Sequence, residues 1–244
     1  MEALASVETS GEIIERIHRG LMLELHKTIP SQAGLGGGSS DAACVLTALN
    51  ALWELGIPET HLEALGASLG SDAPFFVSGG TALIEGRGEF VSALPDAEPF
   101  WLVLVKPRIG VSTAAVFRAL TPSDFSDETE TLALVSAIRA GRPLAFDRLA
   151  NTLEAGVLRA YPAVSESRAA LLAAGAPAVR MSGSGPTLFA PFRTLAEATA
   201  VYQRLRAMIS DPQAMEVPCD AWLCHTISRA QFARARPTPA TLLA

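Results

Sequence analysis

Four glycines stand within the five residues from Gly34 to Gly38, in the stretch "PSQAGLGGGSSDAA" that runs from Pro30 to Ala43. No regular helix or strand favours that density, because glycine loses more conformational freedom on folding than any other residue. The stretch is therefore either a spacer or a backbone bent for a purpose. Its neighbours separate the two. A spacer is flanked by further polar, low-complexity sequence. Here Leu21 to Thr28, "LMLELHKT", alternates apolar and polar residues with the period of a half-buried strand, and Pro30 stops it. On the other side Ser39 to Leu55, "SSDAACVLTALNALWEL", carries serine at the entry, Asp41 in the first turn and apolar residues at helical spacing. Glycines pinned between a strand and a helix entry let successive backbone N–H groups turn inward, and the unpaired amides and dipole of the helix's first turn add to an anion site. Ser39 and Ser40 can offer hydroxyls to phosphate oxygens or to Mg²⁺. On the residues alone, a purely structural turn stays open beside this phosphate-binding reading.

Two familiar nucleotide loops do not fit. A Walker loop ends in Gly-Lys-Ser/Thr, whereas Gly38 precedes Ser39 here. The dinucleotide fingerprint G-x-G-x-x-G fails at its last position, which is Ser39.

Of the 244 residues, 49% are hydrophobic and 18% charged, which excludes a largely disordered chain. The densest apolar run, Phe100 to Val105, is far too short to span a bilayer, and no basic-then-apolar leader opens the sequence. A soluble, cytoplasmic protein without a membrane partner is the expectation. The net charge is −6 and the cations are scattered, which argues against nucleic acid as a partner. Cys44, Cys219 and Cys224 form no C-x-x-C pair, and Cys44 is expected to be buried in its apolar helix. His18, His26, His61 and His225 are isolated from one another, so no zinc site is expected. Oligomeric state is not legible.

Further along, the pattern predicts a short helix from Gly11 to Arg19 and a second helix after Pro58 through Leu69. Short strands joined by tight turns are expected in "LGSDAPFFVSGGTALIEGRGEFVSAL", then a strand at Trp101 to Val105 and a loop entering a helix in "KPRIGVSTAAVFRAL". Helices are expected around Glu130 to Ala140, Phe146 to Leu153, Ala163 to Ala174 and Leu195 to Ile209. "APAVRMSGSGPTLFAPF" reads as strand, glycine turn, strand, and Met215 to Ile227 as a last strand. Elements mixed without strict alternation favour an α+β fold of two layers over a doubly wound parallel sheet. The seam at Pro95 to Pro99 divides an amino-terminal domain, 1–97, from a carboxy-terminal one, 98–230, with a flexible tail at 231–244.

The spelling P-x-x-A-G-L-G-G-G-S-S-D-A-A resembles the ATP-binding motif of the GHMP kinase superfamily. Three glycines before Ser-Ser is the version of its 4-diphosphocytidyl-2-C-methyl-D-erythritol kinase branch. "LGSDAPFFVSGGTALIEGRGE", "GVSTAAVF" and "MSGSGPTLFA" match further family segments in the right order, so the resemblance covers about Leu21 to Phe192. It implies a two-domain GHMP kinase-like fold and an ATP- and Mg²⁺-dependent small-molecule kinase. The implied acceptor is the 2-hydroxyl of the cytidine compound, in the non-mevalonate route to isoprenoid precursors. Pro30, Ser31, Gln32, Ala33, Gly34, Leu35, Gly36, Gly37, Gly38, Ser39 and Ser40 would then cradle ATP, with Ser39 and Ser40 as contacts for Mg²⁺.

Asp72 would be the base that takes the acceptor's proton, a task phosphoryl transfer assigns to a well-placed carboxylate. Without the resemblance, an Asp between Gly-Ser and Pro is better explained by a turn or helix cap. Asp41 is explained by the helix dipole. Thr113, Phe117, Gly183, Ser184 and Gly185 would line the substrate site. Phe117 is equally a core phenylalanine, and without the resemblance Gly183 to Gly185 reads better as a hairpin turn. The family also carries an upstream lysine partnered to the catalytic aspartate and a Tyr-His pair for the cytidine. Residues 1–20 fall past that point, so the expectation is an amino-terminally shortened chain, with Lys27 and Lys106 the nearest substitutes for the lysine. Two alternatives remain: a nucleotide-binding protein without catalysis, and a GHMP kinase for another small alcohol.

Overall fold

The computed structural model describes residues 20–236. The expected helix at Gly11 to Arg19 lies outside them. Three helices come first: α1 (Gly37–Leu52), α2 (Glu59–Leu69) and the short α3 (Ala73–Ser78). They close around Ala43, Leu62 and Val77, with Ile57 and Phe76 packed alongside. An antiparallel hairpin follows, β1 (Ala82–Glu85) paired with β2 (Phe90–Ala93).

Beyond residue 100 the chain builds a four-stranded sheet from β3 (Trp101–Pro107), β4 (Arg180–Met181), β5 (Leu188–Phe192) and β6 (Cys219–His225), in the order β4-β5-β3-β6. Every neighbouring pair is antiparallel. Its helices are α4 (Thr113–Arg118), α5 (Thr129–Arg139), α6 (Glu154–Ala160), α7 (Pro162–Ala173) and α8 (Leu195–Ser210). Val103 pairs with Ala190 and Leu223, and Val105 with Leu188 and Ala221, so these residues share one face. That face meets Leu171 of α7 and Leu205 of α8, both fully buried, in a single apolar cluster. Helices over one face of an antiparallel sheet make the fold α+β in two layers.

Five expectations need correction. Leu21 to Thr28 is not a strand: no described strand runs beside it to take its backbone hydrogen bonds, and Leu21, Met22, Leu23 and Leu25 are exposed. Residues 73–78 are helical, because Pro74 suits a helix's first turn. Phe146 to Leu153 holds only a single 3₁₀ turn, Phe146–Arg148. There Arg180 donates to the carbonyls of Leu149 and Asp147, which a helix would have used itself. Cys44 is exposed; Cys219 is the buried thiol, 3.3 Å from the Ser167 hydroxyl. Finally, the tail is not frayed from residue 231. Ser228 and Gln231 form a capping box at the start of α9 (Arg229–Ala235), and Phe232 lies against Gly79. Residues 237–244 lie outside the described set. Among the described residues no helix is long and apolar enough to cross a membrane.

Candidate active site

The glycine-rich stretch enters α1 through Gly36, whose φ of +65° is left-handed. A Cβ there would come within 2.6 Å of the Phe76 ring. Gly34, at φ +71°, is more constrained, since a Cβ would lie 2.3 Å from the Ser182 carbonyl oxygen and 2.9 Å from the Gly185 backbone. Backbone shape therefore demands glycine at both positions, and the close approach of a remote loop adds to the demand at Gly34. Gly38 differs, because a methyl group there would meet nothing within 4 Å. Packing does not explain this glycine.

The remote loop is the turn between β4 and β5. The Ser182 hydroxyl donates to the Gly34 carbonyl at 2.8 Å, and the Thr187 amide donates to the Ala33 carbonyl at 3.3 Å. The Asn151 side-chain amide donates to the carbonyls of Met181 and Gly183, both at 2.8 Å, and its oxygen accepts from the Leu153 amide at 2.9 Å. Ser184 shares a hydrogen bond of 2.7 Å with Thr113 at the start of α4. Segments about 150 positions apart are thus stitched into one wall.

That wall borders a cleft of about 580 Å³. Every residue from Pro30 to Ser39 lines it, together with Asp72, Thr113, Phe117, Gly183 and Ser184. Two of the expected residues do not. Ser40 turns its hydroxyl back to the Gly37 carbonyl at 2.8 Å, and Gly185 packs against Met181 and the underside of Gly34. The first intrahelical bond of α1 runs from the Ser40 amide to the Gly36 carbonyl at 2.9 Å, so the amides of Gly37, Gly38 and Ser39 precede it. Amides in that position have no partner within their helix. Phe117 is 56% exposed, which removes it from the core.

Asp72 occupies the cap position of α3 but accepts no capping hydrogen bond, and its side chain is exposed. Among the described residues it forms no ion pair. Neither lysine substitute reaches it. Lys27 lines the cleft but pairs with Asp41, and Lys106 is buried with its ammonium donating to the carbonyls of Pro107 and Ile109. The cleft also holds Arg87, on the turn between β1 and β2, and Leu153. Sequence reading passed over both, as it did Asn151. The glycines on either side of Arg87 were the available signal for a shaped turn. Nothing near Asn151 marked its long-range bonds.

No group of three or more His, Cys, Asp or Glu side chains suited to a metal ion occurs among the described residues. A divalent cation here would need most of its oxygens from a bound phosphate and from water, with the Ser39 hydroxyl as the protein contact.

These features coincide with known sequence families. The profile described as GHMP kinases N terminal domain matches residues 3–80, and the one described as GHMP kinases C terminal matches residues 134–211. The chain is 42% identical over 197 residues to the 4-diphosphocytidyl-2-C-methyl-D-erythritol kinase of Brevibacillus brevis, covering 80% of this chain and 68% of that one. It is 50% identical over 177 residues to the enzyme of the same name from Moorella thermoacetica, covering 70% and 61%. A crystal structure of 4-(cytidine 5'-diphospho)-2C-methyl-D-erythritol kinase superposes with a TM-score of 0.66 at 36% identity, covering 82% and 68%. Homoserine kinase from Cytophaga hutchinsonii superposes with a TM-score of 0.61 at 18% identity, which shows a shared fold alone. The chain belongs to the GHMP kinases, a family of small-molecule kinases that use ATP. It spans 61% and 68% of the length of the two bacterial relatives just described.

Proposed function

We propose that this chain transfers the γ-phosphoryl group of ATP to the 2-hydroxyl of 4-diphosphocytidyl-2-C-methyl-D-erythritol, in the cytoplasmic non-mevalonate route to isopentenyl diphosphate. The observation that carries the reading is the convergence of four separated segments on one cleft: Pro30 to Ser39, Asp72, Thr113 with Phe117, and Gly183 with Ser184. The 42% identity to a relative of that name supports the choice of acceptor. The two buried clusters support a division into a nucleotide-binding unit over 1–97 and a carboxy-terminal unit over 98–230.

In this reading the first-turn amides of α1 and the Ser39 hydroxyl hold the ATP phosphates. Asp72 accepts the proton of the acceptor hydroxyl as its oxygen bonds to the γ-phosphorus. The bond from that phosphorus to the β-phosphate oxygen breaks, and ADP leaves with the electron pair. The exposed Phe117 ring offers a face to the cytosine, and such stacking contributes about 1 to 3 kcal/mol. Mg²⁺, when bound through the phosphates and Ser39, supplies neutralisation of the β- and γ-phosphate oxygens.

One observation favours a second reading, nucleotide binding without catalysis: Asp72 has no cationic partner among the described residues. ADP release measured with ATP, Mg²⁺ and the cytidine substrate separates the two. The expected result is turnover that Asp72→Asn lowers by about 10²- to 10⁴-fold with the unfolding temperature unchanged. ATP binding without product would select the second reading, and turnover only on homoserine or mevalonate would overturn the acceptor.

A further inference from the structure

Arg87 sits at the tip of the β1-β2 hairpin, between Gly86 at φ +69° and Gly88 at φ +117°. The turn is fixed in place. A Cβ on Gly88 would lie 2.1 Å from the Ser71 carbonyl oxygen, so the hairpin's backbone rests directly on the residue preceding Asp72. That contact brings the Arg87 turn beside the Asp72 segment, and both residues line the cleft with Gly38 and Ser39. The Glu89 carboxylate accepts from the Arg87 backbone amide, and its pKa is held down chiefly by backbone amides and also by the charge of the nearby Arg87 guanidinium, without a direct ion pair between the two side chains. That guanidinium is exposed and makes no ion pair with a described residue. Arg108 and Arg148, by contrast, are paired with Asp220 and Glu130.

We infer that Arg87 is a catalytic residue whose guanidinium engages the phosphoryl group in flight between ATP and the acceptor hydroxyl. The inference rests on the kinase reading above. During transfer, charge is spread over the three oxygens of the moving group while the new bond to the acceptor oxygen forms and the old bond to ADP breaks. A planar fork of donors in the same cleft as the base matches those oxygens better than a single ammonium does. A second cation at this place also answers for the missing partner of Asp72, because the carboxylate then faces a positive group across the transferred phosphoryl.

The test is steady-state kinetics of the full chain and its Arg87→Gln and Arg87→Lys variants, with thermal unfolding alongside. Arg87→Gln should lower kcat by about 10²- to 10³-fold. KM for ATP should stay within about threefold, and Arg87→Lys should recover part of the loss. An exposed turn residue of merely structural importance would move the unfolding temperature instead. A wild-type chain that turns over while Arg87→Gln keeps kcat within about threefold overturns the inference and leaves the proposed function standing. A raised KM with unchanged kcat overturns it equally. If the wild-type chain turns over no acceptor, the proposed function falls, and a binding comparison still decides Arg87. ADP with Mg²⁺ and aluminium fluoride, which mimics the moving phosphoryl group, should bind Arg87→Gln at least about tenfold more weakly than wild type. ADP alone should not distinguish them. Equal affinity for the fluoride complex overturns the inference.

Discussion

Gly34 and Gly38 are four positions apart in one glycine run, yet replacing each with alanine should have opposite effects on stability. At Gly34 the alanine must hold φ near +71°, and its methyl would sit 2.3 Å from the Ser182 carbonyl oxygen and 2.9 Å from Gly185 backbone atoms. The left-handed conformation costs a non-glycine residue about 1 to 2 kcal/mol. Overpacking against backbone that has no rotamer to change adds about 1 to 3 kcal/mol. Opening the gap also threatens the bond from the Ser182 hydroxyl to the Gly34 carbonyl, worth about 1 kcal/mol. Gly34→Ala should therefore destabilise the protein by about 3 to 6 kcal/mol, a drop of about 6 to 24 °C in Tm for a chain of this size. At Gly38 the φ is ordinary, the position lies in the first turn of α1, and the methyl meets nothing within 4 Å. Gly38→Ala should stabilise by about 0.5 to 1 kcal/mol through helix propensity. It should nevertheless weaken ATP at least about tenfold, since the methyl occupies space beside the first-turn amides that phosphate oxygens need. Differential scanning calorimetry and titration calorimetry with ATP and Mg²⁺ on the two variants check this. Equal Tm values would refute the packing argument, and a Gly38→Ala variant with unchanged ATP affinity would refute the cradle.

Asn151→Ala removes two donors from the carbonyls of Met181 and Gly183 and one acceptor from the Leu153 amide, so it should cost about 2 to 4 kcal/mol in urea unfolding. Because those carbonyls belong to the loop that touches Gly34, the same variant should raise KM for ATP. Burial pushes the Cys219 and Cys224 thiols up from their ordinary value, with no cation strong enough to offset it. A thiol whose folded pKa lies above its unfolded one favours folding below the unfolded pKa of about 8.5 and loses that contribution as pH rises toward the folded value. Stability measured by urea unfolding should therefore fall above about pH 8.5 and recover in a Cys219→Ala, Cys224→Ala double variant. Thiol labelling at pH 8 should modify exposed Cys44 first, and simultaneous labelling of all three cysteines would contradict the assigned burial.

What could be read from the sequence and what could not divides along the range of the forces involved. The strand at Trp101 and the helix at Leu195 were legible because each is decided by local pattern, a run of β-formers in one case and helical spacing in the other, to which the structure adds a capping box from Thr194 to Glu197. The glycine run was legible for a similar reason, since its strand-like and helix-like neighbours are adjacent in the chain. The segment at Leu21 to Thr28 has the right alternation and still forms no strand, because alternation creates only the face of a strand and the backbone bonds must come from a neighbour elsewhere. Phe146 to Leu153 fails for the complementary reason. Its residues suit a helix, but Arg180, remote in sequence, takes the carbonyls that the helix needs.

The cleft shows both kinds of outcome at once. The cradle is marked by its glycines and their neighbours and Asp72 by the family resemblance, whereas Arg87 and Asn151 acquire meaning only when Gly88 rests on Ser71 and when the turn after Met181 folds back on Gly34. Each of those contacts is made where a side chain is missing. The glycines that looked like loop punctuation are the positions where distant backbones touch, and that is why substitution at Gly34 or Gly88 should disturb residues that neither glycine neighbours in sequence. A Gly88→Ala variant that folds should lift the hairpin from Ser71 and lower kcat in parallel with Arg87→Gln. A loss of stability with kcat intact would separate the hairpin's packing from its chemistry.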